Sequence, residues 1–265
     1  MTIVTVSRGT YSRGRDVAEK LAQRLGYECL SREVMVEASR EFNIPELKLV
    51  EAIKDPPSIL ERFTYGKERY LACCQAVLLE HFQRDNVVYH GLAGHFLVQN
   101  VSHVLKVRIV AEMEDRVRLM MERKGVSEDH ALRFVKGVDE ARRKWSLHLY
   151  GINTHDPALY DMVIRIKKLT TDDAVQIISF AAGLERFQPT AESRKAIDDL
   201  ALAARVKVSL IHRHPRIQVA ADSGVVYVTL EGATPREEQD IQQTVEQAPG
   251  VKEVQVNSRP LLTPD

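Results

Sequence analysis

The feature that most constrains this chain is its opening. Residues 2–7, TIVTVS, form a short, uncharged, β-branched run. A turn with Gly9, Ser12 and Gly14 follows, and then RDVAEKLAQRLG places Val17, Leu21 and Leu25 at helical spacing before Gly26. A continuous apolar run of that length reads as a strand buried on both faces, and Gly26 is a helix stop. Strand, glycine-containing loop, helix is the start of a parallel α/β sheet.

The rest of the first two thirds repeats the alternation. Residues 27–30, 86–91, 103–111 and 160–166 read as further strands. Helices are expected at 31–42 with Ser31 as N-cap, at 67–84, 113–124 and 127–148, and a closing helix at 170–186. Residues 44–66, with Pro45, Pro56 and Pro57, read as short helices and loops. This predicts a five-stranded parallel sheet covered by helices on both faces. The pattern changes near residue 188, where GLERFQPTAES reads as a linker. Beyond it come a helix (191–206), a strand (216–221), a tight Asp222-Ser223-Gly224 turn, a strand (225–232), a helix (235–248) and a last strand (251–257). An aspartate-serine-glycine turn between alternating strands is a hairpin signal. The expectation is two domains, 1–187 and 190–262, the second a small α+β unit; 265 residues suit that division.

The loop between the first strand and helix carries the chemistry. Gly9-Thr10-Tyr11-Ser12-Arg13-Gly14-Arg15-Asp16 has the spacing G-x-x-x-x-G-K-[ST] in the strand-to-helix context that motif requires. Backbone N–H groups of such a loop and of the helix N-terminus converge on one point and attract an anion. Arg15 stands where the lysine would be and keeps the charge, as a planar fork rather than a compact ammonium. Asp16 stands where Ser or Thr would ligate magnesium, and can hold the ion through a water or repel the phosphate. The other reading of the loop alone is a basic turn that binds nothing.

Charge narrows the partners. The 37 Lys and Arg balance 37 Asp and Glu, so a role in coating nucleic acid is not expected. The three cysteines, Cys29, Cys73 and Cys74, have no disulfide or metal spacing. Neither a signal peptide nor an apolar run long enough to span a bilayer is evident, and the expectation is a cytoplasmic protein with no transmembrane segment. His90 and His95 flank HGLAGH without a third metal ligand in helical spacing, and read as structural or phosphate-contacting. Trp145, beside Arg142 and Arg143, is read as core packing or as a base-stacking ring.

Four stretches together resemble the cytidylate kinase-like proteins, a branch of the nucleoside monophosphate kinases. They are VSRGTYSRGRDVAEKLAQRLGY, SREVMVEAS, VVYHGLAGHFL, and DEARRKWSLHLYGINTHDPALYDMVIRIKKLTTDDAVQII. The resemblance implies a P-loop kinase fold, ATP with magnesium, and transfer of the γ-phosphoryl group to CMP or a related monophosphate. It implies that Gly9, Thr10, Tyr11, Ser12, Arg13, Gly14, Arg15 and Asp16 bind ATP, with Asp16 at the metal. Arg15, Arg142 and Arg143 would act on the transferred phosphate. Arg32, Arg118, Arg123 and Asp161 would meet the acceptor. The sequence departs from the family pattern at Tyr11 and Arg13 (glycines in the family), at Ser31 (an acidic residue) and at Leu92 (an arginine). Residues 190–262 resemble a BON domain, through the helix before RIQVAADSGVVYVTLEG and the ending APGVKEVQV. That resemblance implies docking of a protein or small ligand. Two functions from different classes follow: a phosphotransferase with a regulatory BON unit, or a catalytically degenerate nucleotide sensor that signals through it. A third is a scaffold that binds no nucleotide and holds partners through residues 190–262. The oligomeric state is not readable.

Overall fold

The computed structural model of the chain describes residues 2–31, 33–42, 66–91 and 94–259. The expected short helices of 44–66, and Arg32 and Leu92, therefore lie outside the described residues, apart from Gly66.

Five strands form one parallel sheet: β1 (Ile3–Arg8), β2 (Glu28–Leu30), β3 (Val87–Tyr89), β4 (Val104–Ala111) and β5 (Met162–Ile166), in the order β2-β3-β1-β4-β5. Its covering helices are α1 (Gly14–Leu25), α2 (Glu33–Glu41), α3 (Gly66–Gln83), the one-turn α4 (Gly94–Leu97), α5 (Met113–Lys124), α6 (Glu128–Tyr150) and α7 (Thr171–Ala182). β1 sits at the centre, which is why its apolar run is buried on both faces. Ile3 belongs to a core with Phe82, Val87 and Val104 on one side. Val4 and Val6 belong to a second core with Val17, Leu21, Leu105, Ile109 and Ile178 on the other. The order places the C-terminal ends of β1, β3 and β4 side by side, and at that edge the loops converge.

The second sheet has three strands in the order β6-β7-β8: β6 (Gln218–Asp222), β7 (Val225–Glu231) and β8 (Glu253–Arg259). β6 and β7 are an antiparallel hairpin whose turn residues Ser223 and Gly224 both have positive φ, 56° and 90°. That is the backbone the aspartate-serine-glycine signal asks for. The helix α9 (Pro235–Glu246) crosses over to β8, which pairs parallel with β7.

The expected linker near 188 is compact structure instead. A 3-10 turn (Glu185–Phe187) leads to Thr190, which caps α8 (Ala191–Leu210) through a reciprocal bond with Ser193. Two faces of α8 are buried. Ile197, Ala201 and Ala204, at i, i+4, i+7, complete the first core with Val77 and Phe82. Leu202, Val206 and Leu210 pack under the second sheet with Ile217, Val226 and Ile241. The helix read as the start of the second unit is thus equally part of the first. Among the described residues, no helix is long and apolar enough to cross a membrane.

Candidate functional site

The loop after β1 is folded tightly against α5 and α6. Tyr11 and Arg13, the two residues standing at glycine positions of the family pattern, have φ of 58° and 63°. The left-handed turns that glycines would supply are therefore kept with ordinary side chains. Arg13 is the N-cap of α1 and makes no side-chain cap bond, so the helix N-terminus is left to other partners. Ser12 Oγ braces the loop by donating to the Gly9 carbonyl at 2.9 Å. Thr10 N–H donates to Asp139 Oδ1 at 2.9 Å, and Thr10 O accepts from Arg116 Nε at 2.7 Å. Arg116 also pairs with Asp139 Oδ2. Arg142 completes the clamp with a 3.2 Å bond to Thr10 Oγ1. A carboxylate from α6 therefore sits on one of the loop's backbone donors.

Beside this clamp opens a cavity of about 200 Å³ at the C-terminal ends of β1, β3 and β4. Its lining brings together Arg8, Arg108 and Arg142 with His90, His95 and Asp139, and also Leu78 and the packed side chains of Leu71, Trp145 and Tyr150. Among the described residues neither Arg8 nor Arg108 has a carboxylate within ion-pair distance. Burial, reinforced by Arg142 and then Arg15, lowers the Arg8 pKa to about 10. Burial lowers that of Arg142 too. Two unneutralised guanidinium groups in a desolvated cleft are an unfilled demand for an anion.

The histidines are held neutral. Burial first, and the neighbouring Arg8 second, bring His90 down to about 4. Burial, then Arg108, bring His95 to about 3. A guanidinium can only donate, so His90 Nδ1, 3.5 Å from an Arg8 terminal nitrogen, accepts and its proton sits on Nε2. Tyr160 OH donates to Thr154 O at 3.0 Å, accepts from Arg108 at 3.1 Å, and stands 3.4 Å from His95 Nε2. The glycines of HGLAGH have a packing reason: a Cβ at Gly91 or Gly94 would collide with the buried Tyr89 ring.

The residues singled out in the sequence divide. Gly9, Arg142 and Ser31 line the cavity, as does Trp145, which is 4% exposed. Thr10, Tyr11, Ser12, Arg13 and Gly14 form the loop beside it. Arg15 does not enter: its side chain is 65% exposed and bonds Glu19 one turn on. Arg143 is tied to Glu140, and Arg118 to Asp115, both near the surface. Arg123 holds Asp16 at 2.8 Å, which neutralises the carboxylate expected at the metal. Among the described residues no three His, Cys, Asp or Glu side chains are grouped as a metal site. Asp161 fastens the entry to β5 by accepting from the Lys106 backbone N–H at 2.8 Å, away from the cavity. Arg8, Arg108 and Asp139 carry the site's charge and were not singled out; Arg8 lies one residue past the expected strand 2–7, inside the first stretch that carries the resemblance, and the structure makes it the last residue of β1.

A central parallel sheet with a braced glycine loop after β1, and arginines converging beyond the strand ends, defines a phosphotransferase-type α/β protein. The comparisons place it further. Residues 3–168 match the model of the cytidylate kinase-like family, and the chain belongs to that family, a branch of the nucleoside monophosphate kinases. It is 27% identical over 180 residues to a cytidylate kinase of Ignicoccus hospitalis, covering 67% of this chain and 97% of that enzyme. It is 24% identical over 178 residues to a cytidylate kinase of Pyrobaculum aerophilum, covering 67% of this chain and 90% of that one. Among solved structures, an uncharacterized protein from Eubacterium ventriosum shares the fold, with a TM-score of 0.52 and 21% identity, covering 69% of this chain and 98% of that one.

Proposed function

We propose that the protein is a nucleoside monophosphate kinase that moves the γ-phosphoryl group of ATP to CMP or a related pyrimidine monophosphate. The observation that carries this is a cavity lined both by Arg8 and Arg108, neither of which has a carboxylate partner among the described residues, and by the packed Leu71, Trp145 and Tyr150. The guanidinium groups suit the acceptor's phosphate and the rings suit a base. Phosphoryl transfer asks little covalent chemistry of a protein. It asks for cations fixed around the moving group, which the buried Arg108 and the half-buried Arg8 and Arg142 supply.

The triphosphate fits the loop, whose left-handed turns aim it at the N-terminus of α1. Magnesium would arrive on the triphosphate and neutralise its charge, since Asp16 is already paired with Arg123. Residues 1–187 would form the transferring unit. Residues 190–262 would be a BON-like unit that docks a protein or small ligand.

A second reading, a nucleotide sensor without turnover, is favoured by one observation: Asp139 occupies the loop donor at Thr10. One experiment separates the two. ADP formation from Mg-ATP is measured with CMP, dCMP, UMP, AMP and GMP, alongside a calorimetric titration of each nucleotide. Turnover with a pyrimidine monophosphate is expected. Binding without turnover selects the sensor, and neither binding nor turnover removes both.

A further inference from the structure

Sequence spacing puts a cation at Arg15; the folded chain puts it elsewhere. We infer that Arg8, the last residue of β1, is the group that holds the transferred phosphoryl, in the role the loop's missing lysine would have filled. This rests on the phosphotransferase reading above and assigns a residue within it.

Three observations bear on the assignment. The first is position. Arg8 lines the cavity together with Arg108 and Arg142 and also adjoins the loop, because Gly9 follows it and Gly14 packs on its stem. A Cβ at Gly14 would come within 2.5 Å of Arg8 Cβ and 3.0 Å of its Cδ, so the loop closes over this side chain. Arg8 thus lies between the loop that would hold a donor phosphate and the cavity that would hold an acceptor.

The second is vacancy of charge. Arg15 is satisfied by Glu19 at 2.7 Å and faces solvent. Arg142 bonds Thr10, and Arg108 bonds Ser7 and Tyr160. Among the described residues Arg8 makes no polar side-chain contact but a 3.5 Å approach to His90, and its Nε is a buried donor with no hydrogen-bond partner. A buried guanidinium edge left open is costly unless an anion fills it. The third is chemistry. His90 Nδ1 faces one terminal nitrogen of Arg8, so the neutral imidazole carries its proton on Nε2 and leaves the Nε edge of the guanidinium open. A planar cation with a free edge matches a phosphoryl oxygen pair better than a flexible ammonium would.

The step is an in-line displacement. An acceptor phosphate oxygen bonds to the γ-phosphorus as the bridging oxygen bond to ADP breaks, and the electron pair leaves with ADP. Arg8 neutralises charge on the equatorial oxygens throughout and neither gains nor loses a proton.

The test compares R8K, R8M and R15A in the full chain, each checked by circular dichroism and thermal melting. With Mg-ATP and the best acceptor, R8M and R8K are expected to lower kcat by about 100-fold or more, with KM moving far less. R15A should cost at least tenfold less than either. R8K is the arm that keeps charge and stem, so its failure alongside a native melt separates lost geometry from lost folding. A loss confined to KM, or R15A as the more damaging change, overturns the assignment. If wild type shows no turnover, the kinase reading fails on its own, and the same variants are titrated with inorganic pyrophosphate. Arg8 is upheld there by weakening of about tenfold or more in R8M but not in R15A, and overturned by the reverse or by equal affinities.

Discussion

Removing the Asp139 carboxylate should loosen the loop by an amount the geometry allows one to work out. Asp139 takes the Thr10 N–H at 2.9 Å and pairs with Arg116, whose side chain is 10% exposed against 22% for the aspartate. Arg116 in turn holds Thr10 O at 2.7 Å and lies 3.3 Å from where a Cβ on Gly9 would be. D139A therefore strands a nearly buried guanidinium and frees a loop donor. Breaking one side of a buried pair costs about 3–5 kcal/mol. The residual exposure of Asp139 places this site at the low end, about 3 kcal/mol, or a fall of about 10 °C in Tm for a chain of this size. D139N keeps an acceptor for Thr10 and should lose about half as much. The assay is urea unfolding of D139A, D139N, R116M and R116M/D139A, with D139A, R116M and the double variant read as a double-mutant cycle. A coupling of about 2 kcal/mol is expected. Inorganic phosphate, an anion able to take the vacated place, should restore part of the D139A loss by binding the native state alone. A D139A midpoint within about 1 kcal/mol of wild type, with coupling near zero, would falsify the view that this contact fastens the loop.

Three further outcomes are expected. His90 and His95 have native pKa values near 4 and 3 against about 6.5 unfolded, so the unfolded chain takes up their protons first as pH falls. Their contribution is intact above pH ~6.5 and should be lost below it at about 2 kcal/mol each by pH 5, a slope that H90Q/H95Q flattens in urea midpoints at pH 7 and 5. G14A forces a Cβ against the Arg8 stem and should cost about 1–3 kcal/mol by thermal unfolding; a neutral result would show that the loop does not close on Arg8. I197D, or truncation after residue 187, strips the first core of side chains 0–7% exposed, and should give dye-binding, poorly cooperative material rather than a stable kinase unit. A sharp native melt for the truncated chain would contradict the shared core.

The fold was legible because its signals are local. An apolar strand, a positive-φ turn and an i, i+4 helix stripe each declare themselves within a dozen residues, and β1, α1 and the β6–β7 hairpin lie where the pattern puts them. The shared helix α8 was half legible. Leu202, Val206 and Leu210 form one stripe and Ile197, Ala201 and Ala204 another, and a helix apolar on two faces is a helix with two neighbours. The site was less legible, for a physical reason. Spacing along α1 says which residue follows a glycine, but not whether a glutamate one turn on will claim it, as Glu19 claims Arg15. Arg108 was hidden inside an eight-residue strand otherwise read for its apolar side chains, and Asp139 sits among charged neighbours on a mostly exposed helix. Only the parallel register, which sets Ser7 beside Arg108, brings the first two cations to one mouth.

The placement of the second unit limits how it can act on the first. Its helix α8 is held to the sheet by Arg194, whose guanidinium bonds Asp85 at 3.0 Å, while His103 approaches the same carboxylate at 3.2 Å. Asp85 precedes β3 and His103 precedes β4, so this fastening is at the N-terminal ends of parallel strands. The cavity is at their C-terminal ends. Between His103 and Arg108 the strand advances five residues, about 16 Å at the usual rise. A ligand on the small sheet thus cannot reach the phosphate through the Asp85 contact. It can change how firmly α8 completes the core beneath β1 and β3, where Ile197 belongs to the cluster that includes Ile3 and Tyr89. The same cluster holds Leu78 of α3, and Leu78 lines the cavity. Gly91 and Gly94 close over the Tyr89 ring, and His90 directly follows Tyr89 in the chain. A signal from the second unit would therefore travel through the packing of α8 on α3 and Tyr89, as a change in the stability of the cavity wall rather than as a blocked entrance.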